Sequence, residues 1–524
     1  MGFLVLVCLG PWIGRLGAAE RPQGAEGNPN TAAGWELVGR GVALAKSGDL
    51  SMAARLFDLA IQQDSSIGEF HYRLGLARLQ LRDYRRARSA LEKAVELEPE
   101  RAELWRSLGL LSLAMADYDG AAEQFARAVT LDPGSAEAHD LLGQAYFQQS
   151  YVLMGSANLD QNKLEAALAE YGKAIELDPT SAAYYLHAGE IHHRRHETDI
   201  AAEQFRKAVE LDPGNAEAQL RLGTLDYAAG RFEAAERHLL RSVELDPTRF
   251  EACFQLGLLR LKQGDPAAAR TALEQAIALD GSEPNAYFQL SSALRRLGKH
   301  DEAEQHLERF RELKRLHDDL TVRSRRARSE PKSAEAQYEV GVIHAQLGKL
   351  EQAASDYRRA IALDPGLSPA HNNLAAILLS KGEPARALPH LRQAVEADPS
   401  NALALHNLGK ALLLLNVPRE ALEPLQRALT LNPENGKAHY DLALAHIRLG
   451  EFQSAVGPLR KAIELEPNSE EAHYNLGGVY LSLGQRDQAA RQFEQVLKLN
   501  PQNPKAPHAL DLARGKATSP SDPN

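Results

Sequence analysis

Four side chains with strong hydrogen-bonding groups stand 34 residues apart: Asn373, Asn407, Asp441 and Asn475. A side-chain amide offers a donor and an acceptor together. A row of them on a fixed step could hold an extended peptide by its backbone. Tyr338, Tyr440 and Tyr474 fall one position earlier on the same count, and their rings could pack against the peptide's side chains. Lys410, three residues beyond Asn407, adds a charge.

Other chemistry is sparse. His187, His192, His193 and His196 form the one metal-like cluster, with Glu197 and Asp199 close by. His192 and His196 are four apart and would share a helical face, but zinc needs three or four convergent ligands. His71, His139, His371, His439 and His473 all occupy one recurring position, which makes histidine a routine packing choice in this chain. No metal or cofactor is expected. Cys253 has no base paired with it locally and reads as a packed thiol. There is no phosphate-cradling glycine loop, no HExxH and no GxSxG, so no catalytic residue is assigned and the chain is read as a non-enzyme.

The elements that must position these groups are set by prolines. Pro99, Pro133, Pro179, Pro213, Pro247, Pro331, Pro365, Pro399, Pro433, Pro467 and Pro501 recur mostly every 34 residues. The longer steps, 46 and 84, resolve into the same period plus inserts of 12 and 16, with Gly281 standing in for one proline and Ser65 for another. A fixed period of this size means stacked repeats rather than one core. The composition agrees, with 44 % hydrophobic but only 6 % aromatic residues among 524, as small packing faces require. A formal charge of -10 argues against nucleic acid as the main partner, since phosphate binding needs a basic face.

In the repeat that begins at Ala102, Trp105 and Leu108 share a helical face, Gly109 permits close approach, Ala121 and Ala128 are small, and Phe125 fills the space beside them. Asp132-Pro133 ends the second helix. The step at Gly109 recurs at Gly75, Gly143, Gly189, Gly223, Gly257, Gly341, Gly409 and Gly477. Gly48, Gly230, Gly264, Gly298, Gly348, Gly382, Gly450 and Gly484 mark the turn between helices, where Asn416 substitutes. The pattern resembles the tetratricopeptide repeat (TPR) family over nearly the whole chain. The resemblance implies an all-α fold, a right-handed α-solenoid of stacked antiparallel helix pairs. It counts 13 repeats: eight over 34–333 and five over 334–503.

Three departures stand out. SYVLMGSANLDQN, Ser150 to Asn162, reads as a loop following an elongated first helix. The eighth repeat's second helix should end near Arg315, yet a helix-like stripe of Leu307, Phe310, Leu313, Leu316 and Leu320 runs on to about residue 328 with a basic surface. This extension, near 303–328, reads as a hinge or spacer, and Leu313, Leu316 and Leu320 as a possible face for self-association. Residues 504–524 read as a short cap and a disordered tail. At the other end, residues 1–19 resemble a secretory signal peptide, with small residues Gly17-Ala18-Ala19 before Glu20, and 20–33 form a linker. The expected location is periplasmic or secreted, or cytoplasmic if the leader does not function.

In the TPR family the first helices line a concave groove. The resemblance therefore places the fifth and sixth positions of each repeat there, which are Tyr338, Tyr440 and Tyr474 and the row Asn373, Asn407, Asp441 and Asn475. Lys410 is a ninth position. A carboxylate clamp for chaperone tails would need Lys at the fifth and Asn at the ninth position of one repeat, and no repeat has both. The implied function is a protein-protein interaction scaffold or adaptor that binds extended peptide segments, with proteins or peptides as partners and no integral membrane span. Two alternatives are a structural subunit of an envelope export or assembly complex that docks a folded partner, and an enzyme with an unrecognised site.

Overall fold

The turn inside each repeat decides how its two helices meet. In a computed structural model, which describes residues 29–152 and 160–516, the first helix of the third repeat runs Ala102–Ala114 and the second Tyr118–Leu131. Between them Ala116 has φ +58°, and Asp117 caps the second helix by accepting from the Gly120 amide at 3.0 Å. The missing Cβ of Gly109 is what lets the helices close: an added one would lie 2.6 Å from Phe125 Cε1. Phe125 is fully buried, worth about 1.5–3 kcal/mol against exposure. Asp132 and Pro133 then end the second helix.

This plan repeats through 27 helices among the described residues, in consecutive antiparallel pairs. The left-handed turn recurs at every glycine named for it, at Asn416 (φ +60°) and also at Arg82, Ala116 and His196 (φ +58°, +58° and +61°), which composition does not flag. The fourth position of a repeat ties down the loop before it. His371 Nε2 donates to the Pro365 carbonyl at 3.0 Å, His439 to Pro433 at 2.9 Å, and Trp105 Nε1 to Pro99 at 2.8 Å. The recurring histidines are loop staples.

Packing divides the chain into two compact bodies, Met1–Leu279 and Asp280–Asn524. In the first, the elongated first helix before the insert runs Ala136–Val152 and its partner Gln161–Leu177, so Ser150 to Val152, Gln161 and Asn162 are helical rather than part of the expected loop. Residues 153–159 of the expected loop lie outside the described residues, as do the leader and the residues after 516. In the second body the last repeat is followed by a short helix, Ala506–Ala513, whose Ala509, Leu510 and Ala513 pack with Phe493.

The long helix, His300–Ser329, also belongs to the second body. Its extension is held by the repeat that follows. Leu313 is fully buried in a cluster with Ile343 and Leu347, and Leu316 and Leu320 pack against the same cluster. Of the stripe that suggested self-association, Leu313 is thus buried inside the chain, while Leu316 and Leu320 are half-buried against the same cluster. Arg323 and Arg326 continue the anchorage, reaching Glu339 at 2.9 and 3.1 Å. No described helix is long and apolar enough to cross a membrane.

Candidate peptide-binding face

Five first helices of the second body carry the residues singled out by spacing: Ala334–Gln346, Ser368–Ser380, Ala402–Leu414, Gly436–Arg448 and Glu470–Ser482. Four start on a capping side chain. Ser333, Asn401, Asn435 and Ser469 accept from the amides of Ala336, Ala404, Ala438 and Ala472. The fifth has Pro369 in its first turn, where a missing N–H costs nothing.

The fifth position of each repeat bonds the sixth position of the next, always 35 residues on. Asn373 Nδ2 donates to the Tyr338 hydroxyl at 3.3 Å. Asn407 Nδ2 donates to Asn372 Oδ1 at 2.9 Å. His406 Nε2 donates to Asp441 Oδ2 at 2.9 Å, and Asn475 Nδ2 to the Tyr440 hydroxyl at 2.9 Å. Four consecutive rungs therefore cross every joint from the repeat at Ala334 to that at Glu470. All four sixth-position side chains are half-buried. Asn372 Nδ2 also donates to Asn373 Oδ1 at 3.2 Å, which links two rungs. Burial pushes the Tyr338 and Tyr440 phenols above their ordinary range, aided at Tyr440 by the charges of Glu471 and Asp441, so both stay neutral rung members.

The predicted residues therefore come together, but with a role that spacing did not reveal. The amide donors are engaged by the preceding repeats. Tyr474, with no later rung to join, packs edge-on to Phe493 at 5.6 Å between centroids. Lys410 is exposed. It lies on one helical stripe with Leu403, Asn407 and Leu414, and the two leucines are 54 % and 52 % exposed. The leucines went unnoticed in the sequence because Leu is also the core residue of these helices. A polar pair at 35-residue spacing was the signal that would have found the rungs.

The same relation occurs in the first body. His187 Nδ1 contacts Asp140 Oδ1 at 2.6 Å, a fifth-to-sixth pair stretched by the insert. Burial opposes the charged imidazole, but the Asp140 charge and hydrogen bond outweigh it and hold the His187 pKa above its ordinary value. His192 instead bonds Glu197 at 2.5 Å, and His196 forms the left-handed turn. The histidine cluster is thus spread over separate duties, and among the described residues no three His, Cys, Asp or Glu side chains converge as a metal would need. Cys253 is fully buried, and burial pushes its thiol pKa up, away from nucleophilic thiolate.

Comparison with known proteins places the repeat in a family. Models described as tetratricopeptide repeat or TPR repeat match residues 72–136, 108–150, 254–315 and 372–435, then 155–195 and 447–484, then 193–256, then 334–367 and 470–503. No curated protein matches the chain. Among solved structures, YrrB, described as a TPR protein with an unusual peptide-binding site, is 23 % identical over 36 % of this chain and 96 % of its own, with a TM-score of 0.34. MamA from Desulfovibrio magneticus RS-1 is 25 % identical over 36 % of this chain and 97 % of its own, with a TM-score of 0.31. The APC/C hetero-tetramer Cut9-Hcn1 is 15 % identical over 92 % of this chain and 96 % of its own, with a TM-score of 0.36.

Proposed function

Because the chain belongs to the tetratricopeptide-repeat family, we propose that it is a non-enzymatic scaffold that binds extended peptide segments of partner proteins along the first helices of residues 334–503. One observation carries this reading. Four rungs hold five first helices in register, so the second, sixth, ninth and thirteenth positions of each form one repeating face. A preorganised face loses little freedom when a peptide docks, which is what an adaptor needs. Asn407 and Asn475 contribute through their carbonyl oxygens, and all the rungs contribute by fixing the spacing. Self-association through Leu313, Leu316 and Leu320 forms no part of the reading, since Leu313 is buried within the chain and Leu316 and Leu320 pack in part against the same cluster.

Site-specific photo-crosslinking in the native host tests it. A photoreactive residue at Ala376, an exposed ninth position, should capture partners, whereas one at Arg392 on the exposed side of a second helix should not. Capture only from Arg392 would favour docking of a folded partner elsewhere. We also place this work outside the cytoplasm, on the leader of residues 1–19. N-terminal sequencing of the mature chain should begin at Glu20, and a chain starting at Met1 overturns that location.

A further inference from the structure

The rungs occupy the polar groups at the fifth and sixth positions, and this leaves the second, ninth and thirteenth positions to choose a ligand. On two adjacent first helices these hold an unusual set. Ala402–Leu414 presents Leu403, Lys410 and Leu414, and Gly436–Arg448 presents Lys437, Leu444 and Arg448. Leu403 and Leu414 are more than half exposed. Lys410, Lys437 and Arg448 are exposed as well. The one carboxylate on these two helices, Asp441, is held by His406. Among the described residues no carboxylate lies within ion-pair distance of Lys410 or Lys437. Arg448 donates to the Leu413 carbonyl of the preceding repeat, which fixes its position without neutralising it.

This cationic and apolar island sits in a chain of net charge -10. The first helix that follows it carries Glu470 and Glu471, whereas the one that precedes it, Ser368–Ser380, carries no carboxylate, and Glu335 and Glu339 lie one repeat further back. We propose that the island is the specificity-determining part of the face, and that it takes an extended peptide segment with a carboxylate between large apolar side chains. The inference rests on the scaffold reading above and narrows its partner class. Charge complementarity selects the segment. A lone exposed ion pair contributes little, but three cations beside exposed leucines reject basic segments and steer acidic ones.

Fluorescence anisotropy on the full chain tests this with three matched, labelled peptides. Each has two leucines flanking a central Asp, Asn or Lys. The Asp peptide should bind roughly tenfold tighter than the Asn peptide, a preference that salt screens away. Lys410→Glu should abolish it and favour the Lys peptide. Leu403→Ser with Leu414→Ser should weaken the Asp and Asn peptides alike. All three positions are exposed, so folding is not at stake, and the gain for the Lys peptide is a signal that misfolding would not give. No binding of the Asp peptide, equal binding of all three, or indifference to Lys410→Glu overturns the proposal. So does a Lys410-dependent doubling of mass in light scattering, which would identify the occupant as a second copy. If Lys410→Glu has no effect while Ala376 still crosslinks partners, only the island fails. If Ala376 captures nothing, the scaffold reading fails with it.

Discussion

Asn475 donates its amide to the hydroxyl of Tyr440 at 2.9 Å across the joint between the last two repeats. The bond does two things at once. It satisfies a half-buried phenol, and it fixes the rotation of one repeat on the next. Asn475→Ala should cost about 1 kcal/mol in urea unfolding, and Tyr440→Phe a similar amount. The double variant should cost less than the sum, with a coupling of about 0.5–1.5 kcal/mol. Strict additivity would mean that the rung is not formed.

Adjacent glycines in one helix should respond oppositely. A Cβ on Gly477 would lie 2.7 Å from Phe493 Cε1, whereas one on Gly478 meets nothing within 4 Å. Gly477→Ala is expected to lower stability by about 1–3 kcal/mol through overpacking. Gly478→Ala is expected to raise it by about 0.5–1 kcal/mol, the usual gain in a helix interior. Thermal unfolding of the two variants decides the matter.

Four turns carry a side chain where glycine would be unstrained, and only Asn416 among them is a residue that tolerates the conformation. Ala116 at φ +58° bears the left-handed penalty with nothing in the sequence to relieve it. Ala116→Gly should therefore stabilise the chain by up to about 1 kcal/mol, after the loss of unfolded-state stiffness is subtracted. A fall in melting temperature would refute the strain.

Acid should loosen the second-to-third repeat joint. Burial raises the Glu103 pKa, but hydrogen bonds from Arg101 and Tyr72 and the charges of Arg101 and Arg106 outweigh it, leaving the carboxyl below its ordinary 4.5. A depressed folded pKa stabilises fully above the unfolded value and is lost as pH falls through the folded one. The stability gap between wild type and Glu103→Gln should be constant above about pH 5 and shrink below 4.5. A gap that widens in acid would contradict the arrangement.

The long helix offers a separate check. Leu313 is fully buried against Ile343 and Leu347, so Leu313→Ala should cost about 2–5 kcal/mol. It should leave the mass measured by light scattering the same as that of wild type. A drop in mass would restore the stripe to a role between chains.

What the sequence determined by itself was everything encoded within one repeat. The prolines of the 34-residue series stop helices, glycines such as Gly230 permit left-handed turns, and Gly109 opposite Phe125 allows close packing, all through contacts inside 34 residues. Residue types at fixed spacing therefore read out the helix pairs and the family directly. Arg82, Ala116 and His196 escaped because the repeat forces their backbone where their own preference would not. Only the tertiary structure decided the relations between repeats. The pairing of Tyr338 with Asn373, the seating of Leu313, and the exposure of Leu403 beside Lys410 depend on how one helix pair rotates on the next. That rotation is a sum of many weak packing contacts, and no single residue type records it.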